Sequence, residues 1–188
     1  MVKIYLVIFF VILVAAEEER SCPNFKTRNN WEAKDPTTVE YQTFPVPIVI
    51  IHHTASPNCS TFRECATRVK NIQHYHQVTK KYPDISYNFL VGGDGNVYEA
   101  VGWHKVGTHT VGYNNRSIAI AFIGNFNDEL PVPEALQAAK DLIQCGVELG
   151  EIKKAYKLFG ARQLVKTQSP GLTLNAEIQE WDNWNPRP

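Results

Sequence analysis

The sequence predicts a single α/β domain, a central mixed β-sheet flanked by helices. Three observations predict it. Short β-branched runs, Ile48 to Ile51 first among them, have strand length and are bounded by Pro, Gly or polar residues. Between them lie two segments, about Thr61 to Thr79 and Pro133 to Gly150, whose apolar residues recur at helical spacing. A Gly92-Gly93-Asp94-Gly95-Asn96 turn joins two of the strands and makes them a hairpin.

Ile48 to Ile51 follows Pro45 and Pro47, reads as a strand buried on both faces, and ends at His52-His53-Thr54. Thr61-Phe62-Arg63-Glu64 has the form of a capping box. Behind it Phe62, Cys65, Val69, Ile72 and either Tyr75 or His76 mark the buried face of a helix to about Thr79. Tyr82-Pro83-Asp84 breaks that helix. Ser86 to Val91 and Val97 to Ala100 are the hairpin strands, and Ser117 to Ile123 is a further strand closed by Gly124. Pro133 opens a second helix, with Leu136, Ala139, Leu142, Ile143 and Val147 on its apolar face and Gly150 as its stop. A short strand near Tyr156 to Phe159 and a last helix from about Leu172 to Trp181 complete the pattern.

The 188 residues are 44% hydrophobic, and 19 Lys+Arg balance 19 Asp+Glu. A neutral surface argues against a nucleic-acid partner, which a basic face would be needed to hold. Lys3, an unbroken apolar run from Ile4 to Ala16, and then Glu17-Glu18-Glu19 read as a signal peptide over residues 1–16. The run is too short to span a bilayer, so residues 17–188 are expected as a secreted, extracellular domain with no membrane partner, in haemolymph for an insect protein. Secretion makes disulfides the natural reading of Cys22, Cys59, Cys65 and Cys145, with three pairings open. The proximity of Cys59 and Cys65 favours that pair and leaves Cys22 with Cys145. Asn58-Cys59-Ser60 and Asn115-Arg116-Ser117 are sequons that permit glycosylation.

All six histidines, His52, His53, His74, His76, His104 and His109, fall within residues 52–109. His52 and His53 end one strand, so their rings take opposite faces and at most one lines a given groove. No metal follows from these residues alone. Ile50-Ile51-His52-His53-Thr54-Ala55, Tyr87-Asn88-Phe89-Leu90-Val91-Gly92, Val97-Tyr98-Glu99, Gly102-Trp103 and Ser169-Pro170-Gly171 occur in a fixed order and spacing. From about Cys22 to Trp184 the chain resembles the peptidoglycan recognition proteins. The ending Thr167 to Leu174, followed by Glu177-Ile178-Gln179-Glu180-Trp181, is similar to their short secreted insect members of the SA type.

The resemblance implies a fold shared with zinc amidases and a groove for the peptidoglycan stem peptide. It places the three amidase zinc ligands at His52, Ala161 and Ser169, and only His52 is a ligand type. Zinc amidase activity is therefore not expected, and no cofactor is. It further implies a groove lined by His53, Thr54, His76, Lys80, Tyr87, His109 and Asn114, with Thr167 and Ser169 at its vacated zinc end. His76 and Lys80 are four apart on one helix face, although Lys80 reads equally well as a solvated lysine and His76 as packed on the sheet. At the positions associated with the third stem residue stand Lys81-Tyr82 and Val101. An arginine found there in diaminopimelate binders is absent, which favours lysine-type stems, while Lys81 could supply a point charge.

Three functions compete. The leading one is a non-catalytic sensor of lysine-type peptidoglycan that starts a protease cascade leading to Toll signalling, with another recognition protein or a serine protease as partner. The alternative is a peptidase with Ser169 as nucleophile, for which the segment 161–168 offers only Lys166 as a base, beside Arg162. The third is a scaffold using exposed residues such as Trp181-Asp182-Asn183-Trp184, whose tryptophans could equally pack on the core.

Overall fold

The computed structural model describes residues 22–188, so the reading of residues 1–16 as a signal peptide lies outside the described residues. Six strands form one mixed sheet: β1 (Phe25–Lys26), β2 (Val46–His53), β3 (Phe89–Val91), β4 (Val97–Glu99), β5 (Ser117–Phe122) and β6 (Ile152–Gly160). Their order is β1-β4-β3-β5-β2-β6, and all pairs are parallel except the β3–β4 hairpin. The helices are α1 (Phe62–His74), α2 (Pro133–Glu148), α3 (Ala161–Leu164) and α4 (Leu172–Glu177).

Parallel strands covered on both sides must be apolar on both sides, and the sequence of β2 meets that demand. Val49 and Ile51 face α2 in a core with Ile118, Ile120, Phe122 and Leu142, where each buried aliphatic side chain contributes about 1.5–3 kcal/mol. On the other face Cys65 and Val69 of α1 pack with Leu90, Tyr98, Ala121 and Ile123. Trp31, on a 3-10 turn (Arg28–Trp31) that lacks a periodic signal, closes that layer and donates its indole N–H to the Glu99 carbonyl at 2.9 Å. The two disulfides are Cys22–Cys145 and Cys59–Cys65. Gly93 lets the shorter bridge approach: a Cβ there would strike the Cys59 carbonyl.

Several expectations are corrected. The strand expected from Ser86 begins at Phe89: the Asn88 N–H still donates to the Ala119 carbonyl at 3.1 Å, but the return bond from the Ala119 N–H goes to the Asn88 side chain and not to a backbone carbonyl. At α1, Thr61 accepts the Glu64 N–H as a capping box requires, but the Glu64 carboxylate reaches past it to the Ser60 N–H. α1 does not run on as an α-helix to Thr79: Tyr75–Thr79 forms a π turn, with Lys80 N–H bonded to the Tyr75 carbonyl. The wider turn buries His76, turns Tyr75 outward and leaves Lys80 exposed with its ammonium over the Tyr75 ring at 5.7 Å. The i,i+4 argument for a shared His76–Lys80 face assumed α geometry and fails for that reason. The last helix ends at Glu177 and continues as a 3-10 turn (Ile178–Glu180). Trp181 is buried in the α2 core with Trp184 packed against it, so this pair does not form an exposed docking patch.

Candidate functional site

β2 ends where its alternation separates two histidines. His53 shares the α2 face with Val49 and Ile51, and its Nδ1 accepts the Phe126 N–H at 3.2 Å. It therefore does not join the groove cluster expected of it; His52 does. The His52 ring lies 5.3 Å from that of Tyr87 and 5.8 Å from that of His109. Its Nδ1 is 3.3 Å from Ser169 Oγ, and its Nε2 is 3.1 Å from Thr110 Oγ1. Thr110 Oγ1 in turn meets His109 Nδ1 at 3.1 Å. The chain of hydrogen bonds ends at His109 Nε2, which is buried and has no partner among the described residues.

The same ring row continues to the π turn. His76 lies 5.7 Å from Tyr87 and 5.8 Å from Tyr82. Its Nδ1 accepts the Ser86 N–H at 3.0 Å, which leaves the proton of the neutral ring on Nε2 as a donor. Burial drives the rings neutral: His52 is lowered to about 3 and His76 to about 4, chiefly by desolvation, and His109 is pushed well down for the same reason. The Tyr87 hydroxyl is pushed up to about 12, again mainly by burial. The wall is thus a set of uncharged donors and acceptors.

A pH dependence follows. An unfolded histidine binds its proton below pH 6.5, and folded His76 cannot until about pH 4, so stability is full above 6.5 and falls as pH drops. His76 alone accounts for about 2 kcal/mol by pH 5, and His52, His53 and His109 act in the same direction. Urea midpoints should drop between pH 7 and 5, and His76→Gln should flatten that slope.

The remaining expected residues take different places. Thr54 Oγ1 accepts the Gly124 N–H at 3.0 Å and holds a loop end. Asn114 Oδ1 accepts the N–H groups of His109 and Thr110 at 3.1 and 2.7 Å, so it shapes the histidine loop from its own 3-10 turn (Asn114–Arg116). Gly107 packs so tightly under that loop that a Cβ would lie 2.7 Å from the His109 ring. Thr167 and Lys166 are exposed, with Thr167 Oγ1 accepting the Ser169 N–H at 3.2 Å. Lys81 is exposed at φ 59° beside Tyr82, and Val101 is buried with its N–H on the Tyr87 carbonyl. Asn58 and Asn115 are exposed. Val101 and Asn114 also line a cleft of about 450 Å³ that opens toward Pro36, Thr38 and Glu40.

Thr110 and Asn88 are the residues that sequence reasoning missed. Thr110 carries no motif signal, because its role is to bridge two rings brought together by tertiary structure. Asn88 stood inside a noted motif, Tyr87-Asn88-Phe89, and its full burial beside the groove strand is the only sign of its task.

Residues 42–172 match the Amidase_2 family, N-acetylmuramoyl-L-alanine amidase. The chain is 47% identical over 188 residues to peptidoglycan-recognition protein SA of Drosophila melanogaster, covering 97% of this chain and 93% of that one. The chain belongs to the peptidoglycan recognition protein family. Its fold superposes on the solved Drosophila PGRP-SA with a TM-score of 0.87 at 50% identity, covering 89% of this chain and 96% of that one. It also matches, with a TM-score of 0.85 at 39% identity and coverage of 88% and 96%, peptidoglycan recognition protein-LE in complex with tracheal cytotoxin, a monomeric diaminopimelic acid-type peptidoglycan.

An amidase of this fold family implies a zinc ion, and the residues about His52 do not fit one. Tetrahedral zinc takes thiolate, imidazole or carboxylate donors. The atoms bonded to His52 are two neutral hydroxyls, and Ser169 Oγ already accepts the His53 N–H at 3.0 Å. Ala161, at the start of α3, presents a fully buried methyl. Among the described residues no three His, Cys, Asp or Glu side chains converge on a metal position.

Proposed function

We propose that the protein is a secreted, non-catalytic receptor that binds bacterial peptidoglycan of the lysine type and acts upstream of a protease cascade leading to Toll signalling. The observation that carries it is the row of neutral rings, Tyr82, His76, Tyr87, His52 and His109, which meets only hydroxyls at His52 and ends at a buried His109 nitrogen with no partner among the described residues. Such a wall hydrogen-bonds a peptide without cleaving it. The family's recognition role and the fragment held by the LE relative support peptidoglycan as ligand. Val101 supports the lysine preference, since an extra carboxylate buried against an apolar side chain lacks a guanidinium partner. Two disulfides and the apolar segment before Glu17 support secretion. The Toll assignment and a recognition-protein or protease partner rest on the likeness to SA-type relatives.

Co-sedimentation of residues 17–188 with insoluble lysine-type and diaminopimelate-type walls, with and without zinc, tests this reading. Stronger, zinc-independent pelleting with the lysine-type wall is expected. His109→Ala should weaken it about ten-fold, the loss of one hydrogen bond to a buried group. Zinc dependence or a preference for the other wall would overturn the corresponding part.

One distance favours a second reading. Ser169 Oγ lies 3.3 Å from His52 Nδ1, and this pairing of a hydroxyl with an imidazole was invisible in the segment 161–168. With His52 lowered to about 3 it is a weak base, which ranks a Ser169-dependent peptidase below binding. Mass spectrometry of stem peptides incubated with the protein separates the two: products that vanish in Ser169→Ala are required for the enzyme.

A further inference from the structure

We propose that the cleft beside Val101 is a subsite for the group attached to the side-chain amine of the third stem residue, a short uncharged peptide cross-bridge of the lysine-type wall. The proposal rests on the peptidoglycan reading above and extends it to the cross-linked polymer.

The cleft adjoins the ring row: it is lined by Asn114, which holds the His109 loop, and by Val101, whose N–H bonds to the Tyr87 carbonyl. A ligand residue lying against Val101 therefore ends its side chain at the cleft mouth. The space of about 450 Å³ is far more than one linear side chain fills, and it falls within the roughly 300–1,000 Å³ of ligand sites. Its outer wall is the segment Pro36–Glu40, which is held in place rather than loose. Thr37 N–H bonds to the Pro83 carbonyl at 2.9 Å, and Val106 N–H bonds to the Glu40 carbonyl at 2.9 Å.

Charge identifies the occupant. The one buried carboxylate of the lining, Asp84, already has its charge met: Oδ2 lies 2.9 Å from an Arg28 guanidinium nitrogen, an ion pair without hydrogen-bond alignment, and Oδ1 accepts from Gln73 and from the Ile85 N–H at 2.7 Å each. It is not free to receive a lysine ammonium. The remaining lining charges are opposite, exposed Glu40 and half-buried Lys105, on segments that pair at Tyr41 and Lys105. Thr38, Thr108 and Asn115 offer hydrogen bonds without charge, and Val39, Ile85 and Val106 offer apolar contact. An amide-rich, neutral chain of small residues suits such a lining, because the buried carboxylate is already paired and the two remaining charges are of opposite sign, so the cleft presents hydrogen-bonding groups with no net charge to match.

The test titrates the secreted protein with a lysine-type muropeptide bearing a free side-chain amine and with the same muropeptide carrying pentaglycine on that amine. The bridged ligand should bind about five-fold tighter or better. Thr38→Trp, at an exposed position outside the groove, should fill the cleft, abolish that gain and leave the affinity for the unbridged ligand unchanged. Equal affinities in the wild type, or a gain that survives Thr38→Trp, overturn the subsite while binding of the unbridged ligand keeps the recognition reading. Binding of neither ligand overturns both.

Discussion

Asn88→Ala should cost about 4 kcal/mol and loosen the loop that carries His109. Asn88 is wholly buried and satisfies three backbone groups with one side chain. Its Nδ2 donates to the carbonyls of Gly102 and Lys105 at 2.8 and 3.1 Å, and its Oδ1 accepts the Ala119 N–H at 2.9 Å. Alanine leaves all three unpaired in a site too buried for full hydration, at about 1–3 kcal/mol each. For a domain of this size that lowers Tm by roughly 10–15 °C. Asn88→Asp should be at least as damaging, because it retains the acceptor for Ala119 but sets a carboxylate against two carbonyl oxygens. Urea denaturation measures the stability, and amide hydrogen exchange over residues 102–110 should rise more than in the α2 core. A loss under 1 kcal/mol would show that the loop is held by other contacts.

The paired substitution Cys22→Ser with Cys145→Ser is expected to cost about 5 kcal/mol, roughly twice the loss from Cys59→Ser with Cys65→Ser. The first bridge spans a sequence separation of 123 and the second a separation of 6. In the chain-entropy account a disulfide stabilises by restricting the unfolded chain, and the restriction grows with the logarithm of loop length. The long bridge also fastens the segment leading into β1, whose one ladder partner among the described residues is the short β4. The short bridge acts locally, at the start of α1 and against the Gly92-Gly93 turn. Denaturant midpoints of the two double variants measure the ratio, and equal losses would show that native contacts, not chain entropy, dominate.

The fold was largely legible because its signals are local. The β-branched run of β2, the capping residues of α1, Pro133 at the start of α2 and the glycine-rich hairpin turn each specify an element within a few residues. The spacing of Cys59 and Cys65 favoured the pairing that is observed. What failed did so where a local rule met a tertiary competitor. The Asn88 side chain took one ladder N–H from a backbone acceptor where β3 was expected to have begun, and a π turn broke the periodicity that would have set His76 and Lys80 side by side.

The candidate site divides along the same line. The sequence by itself determined the inventory: histidines at the end of a central strand, Tyr87 ahead of the hairpin, and the alanine, serine and valine that the family resemblance sets at its zinc-donor and arginine positions. Only the tertiary structure decided which members meet. It turned His52 rather than His53 toward Tyr87, brought Ser169 across 117 residues to His52 Nδ1, and joined His52 to His109 through Thr110. Strand alternation names two faces but not which one the groove occupies, and a hydrogen bond between residues distant in the chain leaves no period in the sequence. The neutral state of the rings is likewise a product of burial, which the packed sheet and helices impose and the isolated chain lacks.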